Sequence, residues 1–269
     1  MSDAKRNPPS VALRRHFPPE GSDRGGAEIS SQESGADDMQ TLLREGLAAL
    51  RLPTDAADAM ARYGRMLLER NRVMNLTAIT SETDVARLHF LDSCALAALA
   101  DLRGKSVIDV GTGAGFPGLP LRLVEPSLKL TLLDAQRKRL DFLQDVCDAL
   151  RLSDVEIIHG RAEEYAAERR EAFDIAVSRA VAALPMLTEL CLPFVRVGGR
   201  FLSMKSVNCG GELSEAKRAI EKLGGEVRQV SDYNIPGTDI PRRLIVIEKV
   251  RPTPKGYPRA FAKIKKNPL

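Results

Sequence analysis

The segment 107–118, VIDVGTGAGFPG, constrains the fold of this chain more than any other part of the sequence. A short apolar run leads directly into a turn, 111–118, that has four glycines among its eight residues. Glycine adopts backbone conformations that other residues rarely enter, so the chain can turn sharply here and bring its backbone close to a ligand. The pattern is typical of the first strand and turn of an open parallel sheet, where ligands bind.

Further apolar runs follow this turn, separated by stretches with helical periodicity. Together with the first run they comprise residues 107–110, 129–133, 155–158, 173–177 and 199–204. This alternation predicts an α/β, Rossmann-like fold with a mostly parallel sheet and helices on both faces. Two last runs, 226–230 and 243–250, are joined by a loop that contains Pro and Gly, which predicts a closing antiparallel pair.

The region before the turn has the pattern of helices. Apolar residues recur at helical spacing between Met39 and Leu50, and Thr54 is the expected N-cap of a second helix. Ser81 and Asp84 resemble a capping box that opens a third helix. The sequence therefore predicts an N-terminal helical cap in front of the sheet.

The two ends differ from the body in composition. Residues 1–38 are rich in Pro, Gly, Ser, Asp and Arg and poor in apolar residues, so we expect a disordered extension. Residues 251–269 hold six basic residues and no acid. We expect a basic tail that either contacts nucleic acid phosphates or is simply solvated. Between the two ends lie the helical cap, 39–103, and the sheet domain, 104–250.

Composition argues against several classes of protein. No window approaches the roughly 18 apolar residues of a membrane span, and the N-terminus lacks the apolar core of a secretory signal. The four cysteines stand singly and the chain has only three histidines, so neither a zinc site nor a disulfide framework is indicated. We expect a cytoplasmic monomer with buried, reduced thiols and no metal.

Two kinds of nucleotide cofactor compete for the glycine turn. The dinucleotide fingerprint requires a glycine three positions after Gly113, where this chain has Phe116. Asp109 would also repel the pyrophosphate of a dinucleotide. S-adenosylmethionine instead carries an ammonium and a sulfonium, which an acid favours. We therefore expect S-adenosylmethionine to bind at Asp109 and at the turn residues Gly111, Thr112, Gly113 and Gly115.

Two further acids follow the next strands. Asp134 ends the second strand 23 residues after Gly111, the usual offset for an acid that accepts hydrogen bonds from ribose hydroxyls. Glu163 follows the third strand, where it could meet the adenine edge. Either residue could instead be an ordinary acid near a helix N-terminus.

The methyl acceptor decides which catalytic groups are needed. An amine or hydroxyl must lose a proton, whereas guanine N7 presents a lone pair and mainly requires alignment. No general base is evident, because a lone histidine such as His89 or His159 is more often structural. Arg179 and Lys205, which follow the fourth and fifth strands, are the candidates for alignment. Each could instead be solvated or cap a helix.

Several motifs together resemble one family. They are RNRVMNLTAIT (70–80), RLHFLDS (87–93), VIDVGTGAGFPGLPL (107–121), LLDAQRKRLDFL (132–143), GRAEEY (160–165), FDIAVSRAVA (173–182), LSMKS (202–206) and YPRAFAKIKKNPL (257–269). In combination they resemble the bacterial 16S ribosomal RNA guanine-N7 methyltransferases of the RsmG or GidB family, over nearly everything after Met39.

The resemblance implies a class I methyltransferase fold that uses S-adenosylmethionine and acts on one guanosine in the decoding-region loop of 16S rRNA. It places the cofactor at Gly111, Phe116, Ala162, Glu163 and Arg179, of which Phe116 and Ala162 rest on the resemblance alone. The expected partner is 16S rRNA or the small ribosomal subunit. Candidate RNA contacts are Arg137, Lys138, Lys205, Arg259, Lys263, Lys265 and Lys266.

Three other functions stay open at this point: an RNA-binding protein without catalysis, a nucleotide-dependent oxidoreductase, and a methyltransferase of small molecules. Asp109 and Phe116 argue against the oxidoreductase. Removal of residues 251–269 would separate the last alternative from an RNA methyltransferase. We expect that truncation to weaken RNA methylation and to spare the affinity for the cofactor.

Overall fold

The computed structural model of this chain describes residues 33–179 and 182–269. Residues 1–32 of the expected disordered extension lie outside the described residues. Residues 33–38 belong to the first helix, α1 (Glu33–Ala49), which therefore begins before the expected boundary at Met39.

Two antiparallel helices, α1 and α2 (Ala56–Met74), open the described part of the chain. Their apolar faces are completely buried at Met39, Leu43 and Leu47 of α1 and at Met60, Tyr63 and Leu67 of α2. The expected N-cap at Thr54 is wrong. Asp55, which already has right-handed helical backbone angles, occupies that position, and no side chain caps the helix.

A third helical stretch changes its winding midway. It begins as α3 (Glu82–Asp84), continues as a π-helical segment (Val85–Leu91) and ends as α4 (Asp92–Leu99). The predicted cap at Ser81 is confirmed, since its hydroxyl accepts the N–H of Asp84 at 3.0 Å. π-helical turns are rare and occur frequently at functional sites. This one carries His89.

Seven strands form one sheet in the order β3-β2-β1-β4-β5-β7-β6. They are β1 (Ser106–Val110), β2 (Lys129–Asp134), β3 (Val155–His159), β4 (Phe173–Arg179), β5 (Val195–Ser206), β6 (Gly225–Asn234) and β7 (Pro241–Lys249). The first five are parallel to one another, whereas β7 pairs antiparallel with both β5 and β6. The predicted mostly parallel sheet with a closing antiparallel pair is confirmed.

The two faces of the sheet bury different helices. Neighbouring residues of β1 point to opposite faces, so Val107 packs in one apolar cluster and Ile108 in another. The first cluster includes the N-terminal helices, α5 (Gly118–Val124) and α6 (Arg137–Leu150). The second includes residues of α7 (Ala162–Glu168), α8 (Leu184–Cys191), the 3₁₀ turn Leu192–Phe194, α9 (Gly210–Lys222) and α10 (Phe261–Lys266). The helical cap therefore shares a core with the sheet.

Strand order determines where a ligand can bind. Strand β1 lies between β2 and β4, so the chain leaves the sheet in opposite directions on its two sides and a crevice opens at the carboxyl ends. The glycine turn, Asp134 and Arg179 lie at those ends of β1, β2 and β4.

Three further observations concern membrane-spanning helices, metal ligands and cysteines. Within the described residues, no helix is long and apolar enough to cross a membrane. No group of three or more His, Cys, Asp or Glu side chains in that part of the chain could hold a metal ion. All four cysteines are buried and free.

Candidate active site

A cavity of about 580 Å³ lies at the carboxyl ends of the central strands. Eight of the ten cofactor-binding candidates line it, namely Gly111, Thr112, Gly113, Phe116, Asp134, Ala162, Glu163 and Arg179. Asp109 and Gly115 do not line it. The cavity is also lined by residues that the sequence did not predict as cofactor-binding, including Thr77, His89, Arg139 and Phe261.

The glycine turn forms the floor of the cavity. The backbone N–H groups of Gly111 and Thr112 both donate to the carbonyl of Leu133, at 2.8 and 3.1 Å. Gly113 has a φ of +60°, and a Cβ atom built there would meet nothing within 4 Å. The backbone at Gly113 therefore borders open space, which a ligand could occupy at close range.

Gly115 has a different role from Gly113. A Cβ atom at this position would come within 3.0 Å of both Leu119 and Leu143 and would also collide with the hydroxyl of Tyr63. That hydroxyl donates a hydrogen bond to the carbonyl of Ala114. Gly115 thus lets the helical cap approach the turn from behind.

Asp109 lies beneath the turn and is completely buried. Its Oδ2 accepts hydrogen bonds from the Thr112 hydroxyl at 2.7 Å and from the Gly118 N–H at 2.9 Å. Burial raises the pKa of Asp109 to about 6, although these two hydrogen bonds act in the opposite direction. Its Oδ1 has no hydrogen-bond partner among the described residues. The sequence predicts that Asp109 faces the cofactor, whereas in the structure it shapes the turn from below.

Asp134 combines two tasks at the end of β2. Its Oδ2 accepts the N–H of Gly113 and its Oδ1 the N–H of Gln136, both at 2.9 Å. Arg139 approaches the same carboxylate at 3.4 Å. Each carboxylate oxygen can accept more than one hydrogen bond, so Asp134 fixes the turn and still has capacity for the hydroxyls of a ribose.

The outer end of the cavity lies beyond β3. Ala162 and Glu163 begin α7 there, and the Glu163 side chain is only 8% exposed. The guanidinium carbon of Arg161 lies 5.1 Å from the ring centroid of Phe261 in α10. This end therefore offers an apolar ring, a carboxylate and backbone groups to a ligand.

At the opposite end, Arg179 is tied to the π-helical segment. Its Nη1 donates to the carbonyls of Leu88 and His89 at 2.9 and 3.3 Å and to Oδ2 of Asp92 at 3.1 Å. Its Nη2 donates to Nδ1 of His89 at 3.0 Å. The Tyr233 hydroxyl donates to the other oxygen of Asp92. Arg179 thus links the cavity to the helical cap and to β6.

His89 is held between three groups. Its ring stacks on Phe116 with centroids 4.6 Å apart, and its Nε2 lies 2.8 Å from the Thr77 hydroxyl. Burial, together with the charge of Arg179, lowers the pKa of His89 to about 3. Phe116 also stacks on Tyr63 at 5.3 Å. His89 is therefore a neutral ring in a rigid aromatic wall.

The loop before the third helical stretch carries Thr77 to the cavity. Asn71 holds it from both sides, because its side-chain amide donates to the Thr77 carbonyl and its Oδ1 accepts the Thr77 N–H, each at 2.9 Å. The motifs MNLT and RLHFLDS were visible in the sequence. The sequence does not show their chemical role, because nothing in either motif indicates that these two segments of the helical cap meet at the edge of the sheet.

The predicted alignment and RNA candidates differ in their surroundings. Lys205 does not line the cavity, and its Nζ donates to the Ala182 carbonyl at 2.5 Å and to Glu212 at 2.7 Å. Arg259 pairs with the buried carboxylate of Glu189 at 2.6 Å. The remaining candidates are exposed on α6 and α10, at Arg137, Lys138, Lys263, Lys265 and Lys266.

The residues present suit S-adenosylmethionine. The backbone at Gly113 borders open space, and Asp134 has free acceptor capacity for the hydroxyls of a ribose. The fold and the site define a class I methyltransferase, whose methyl donor is S-adenosylmethionine.

Comparison with known proteins identifies the family. Residues 56–241 match the family described as rRNA small subunit methyltransferase G, or GidB. Ribosomal RNA small subunit methyltransferase G of Alkaliphilus oremlandii is 46% identical over 86% of this chain and 99% of its own length. The protein of that name from Lachnoclostridium phytofermentans is 48% identical over 77% of this chain and 87% of its own length. This chain belongs to the rRNA small subunit methyltransferase G family, which confirms the resemblance found in the sequence.

One solved structure is a more distant match. M. jannaschii TYW2, whose crystal structure was determined in complex with AdoMet, is 14% identical, and the match covers 59% of this chain and 75% of that chain with a TM-score of 0.48.

Proposed function

We propose that this chain transfers a methyl group from S-adenosylmethionine to N7 of one guanosine in the decoding-region loop of 16S rRNA. The N7 assignment comes from the family resemblance, and the surroundings of His89 support it. Its Nδ1 already accepts a hydrogen bond from Arg179, and burial lowers its pKa to about 3. With Nδ1 occupied and its pKa lowered, His89 is a poor general base near neutral pH. Guanine N7 carries no proton, so it needs no such base.

The cofactor is held along the ends of three strands. The ribose would bind Asp134, the adenine would lie beyond it at Ala162 and Glu163, and the amino acid part would lie at the glycine turn and Arg179. S-adenosylmethionine supplies an electrophilic methyl group on a sulfonium. The negative charge of Asp109 behind the turn favours a cationic ligand over a pyrophosphate.

Catalysis then consists of alignment. Arg179, His89 and Phe116 are fixed to one another by hydrogen bonds and stacking, so the wall beside the reacting atoms does not have to reorganise. Fixed orientation of two reactants can supply a large part of a rate enhancement. The positive charge at this wall belongs to Arg179, and the ion pair with the buried Asp92 partly neutralises it.

The surface around the cavity fits a polyanion. Arg137 and Lys138 are exposed directly after the cavity residue Gln136. Lys263, Lys265 and Lys266 are exposed on α10, whose first residue, Phe261, lines the cavity. Basic side chains at these places would contact RNA phosphates and position the substrate without reading its sequence.

The experiment uses the full chain, methyl-labelled S-adenosylmethionine, and two substrates from a strain that lacks this enzyme: small ribosomal subunits and free 16S rRNA. After digestion to nucleosides, we expect the label in 7-methylguanosine, at one residue per RNA. Label in another nucleoside would overturn the N7 assignment. RNA binding without any label would favour an RNA-binding protein that lacks catalysis.

The matched control is Asp134→Ala, which removes a carboxylate from the cavity while leaving the exposed basic residues intact. This variant should bind RNA like the wild type and transfer far less label. Equal labelling by the variant and the wild type would contradict the assigned cofactor site.

A further inference from the structure

The C-terminal segment, residues 251–269, is anchored to the body of the protein. Thr253 is buried, its N–H donates to Glu171 at 2.7 Å, and its hydroxyl accepts from the buried Lys249 at 2.7 Å. Arg170 donates to the carbonyls of Thr253 and Tyr257 at 2.5 and 2.6 Å. These contacts fix the first half of the segment against the sheet.

The second half is anchored as firmly. Arg259 donates to both oxygens of Glu189, a carboxylate that is 0% exposed, and Ile264 is 0% exposed in the core. A buried charge with its partner and a buried apolar side chain both resist displacement. The position of α10 is therefore a property of the fold.

This anchoring brings Phe261 to the cavity. Phe261 lines its outer end together with Gly160, Arg161, Ala162 and Glu163. The guanidinium of Arg161 covers the ring at 5.1 Å, and the ring is half-buried. The wall of the cavity beyond β3 is thus built from two distant parts of the chain.

The orientation proposed for the cofactor determines which part of it lies at the outer end of the cavity, beyond β3. Asp134 at the end of β2 takes the ribose, and the polar groups of Arg179, His89 and Thr77 lie on the β4 side. The base must then extend to the β3 side. A purine requires an apolar surface for its face and polar groups for its edge, and Phe261 with Glu163 and the backbone of Ala162 supply both.

We infer that Phe261 is a cofactor-binding residue that packs against the adenine, so that the C-terminal segment forms part of the cofactor site. The inference rests on the proposed function in taking S-adenosylmethionine as the ligand. The sequence predicted that loss of residues 251–269 would spare cofactor affinity. The packing of α10 predicts instead that loss of these residues weakens the affinity for S-adenosylmethionine.

The test measures the dissociation constants of S-adenosylmethionine and 5′-methylthioadenosine by calorimetry for the wild type and for Phe261→Ala. Stacking of a base on an aromatic ring predicts a loss of at least about fivefold. The loss should be the same for both ligands, because they share the adenine. Phe261→Leu should lose less, and Phe261→Tyr should bind like the wild type.

Lys255→Ala is the matched control, since Lys255 is exposed in the same segment away from the cavity, and should leave both constants unchanged. Wild-type affinity in Phe261→Ala would overturn the inference, even if that variant methylates RNA poorly. If Phe261→Ala does not fold, wild-type affinity in Phe261→Leu overturns it instead. Failure of the wild type itself to bind S-adenosylmethionine would count against the proposed function.

Discussion

Arg179 donates an N–H from Nη2 to Nδ1 of His89 across 3.0 Å. A guanidinium has no lone pair to accept with, so Nδ1 must be the unprotonated nitrogen and Nε2 must carry the hydrogen. Nε2 then donates to the Thr77 hydroxyl at 2.8 Å, which also accepts the Ile79 N–H at 3.1 Å. The Thr77 hydroxyl hydrogen is left without an acceptor among the described residues, and Thr77 lines the cavity.

The first prediction concerns the titration of His89. Its pKa is lowered from 6.5 to about 3, by burial first and then by Arg179. Nitrogen-15 NMR should show a neutral ring with hydrogen on Nε2 that does not titrate between pH 8 and pH 4.5. His89→Gln assigns the signal and His159→Gln provides the comparison. A midpoint between pH 6 and 7 for His89 would contradict this account.

The second prediction follows from the same pKa and concerns stability. Below pH 6.5 the unfolded chain takes up a proton at His89 that the folded chain excludes until about pH 3. The free energy of unfolding must therefore fall as the pH falls through this window. Urea denaturation should show a smaller loss between pH 6.5 and pH 4.5 in His89→Gln than in the wild type. Equal losses would show that His89 is accessible to protons.

The third prediction concerns Asp109. Burial raises the pKa of Asp109 from 3.8 to about 6. At a pH between these two values, the Asp109 carboxyl keeps its proton in the folded chain and has lost it in the unfolded chain. The contribution of Asp109 to stability therefore decreases as the pH rises through that window. Asp109→Asn removes this dependence and can still accept both hydrogen bonds through its Oδ1.

Asp109→Ala is the comparison variant, because it loses the hydrogen bonds from Thr112 and Gly118. We expect it to be less stable than Asp109→Asn at pH 7 by about 1–3 kcal/mol, measured by urea denaturation. Equal stability of the two variants would show that Asp109 does not anchor the turn.

The fourth prediction separates strain from binding at Gly113. Alanine at a φ of +60° costs about 1–2 kcal/mol, and its methyl group would also project into the cavity. Gly104 has a φ of +64° and equally open surroundings but lies away from the cavity. Gly113→Ala and Gly104→Ala should lose similar stability, and only Gly113→Ala should bind S-adenosylmethionine more weakly. Equal affinities would rule out close approach of the cofactor to this backbone.

The fifth prediction concerns the ion pair between Arg259 and Glu189. Arg259→Ala leaves a buried carboxylate without its partner, which should lower the free energy of unfolding by about 3–5 kcal/mol. The double variant Arg259→Met with Glu189→Met should recover much of the loss. If Arg259→Ala were fully stable but bound RNA weakly, Arg259 would be an RNA contact, as the sequence suggested.

Much of the fold could be predicted because it depends on local patterns. Short apolar runs of β1 to β5 and the helical stretches between them specify an alternating α/β chain, and parallel strands bring their carboxyl ends to one edge. The glycine turn, Asp134, Glu163 and Arg179 could be nominated for that reason. Each lies at the end of a strand or within a few residues after it.

The rest of the site depends on contacts between distant segments. Thr77 and His89 reach the cavity because the cap shares its core with the sheet, and Phe261 reaches it because Arg259 and Ile264 anchor α10. None of these contacts leaves a periodic signal. The burial of Asp109 was also hidden, since β1 is buried on both faces and its pattern does not show which side chain faces a ligand.

The central claim is that this chain methylates N7 of one guanosine in 16S rRNA. N7-methylated guanosine makes RNA cleavable by aniline after borohydride reduction, so the modified position can be mapped in RNA from a strain without this protein. We predict one cleavage site in the decoding-region loop, which is absent from RNA of the strain without this protein. The site should return when the wild-type protein is supplied to that strain, and it should not return when Asp134→Ala is supplied. A site that persists without the protein, or that returns elsewhere in the RNA, would contradict the claim.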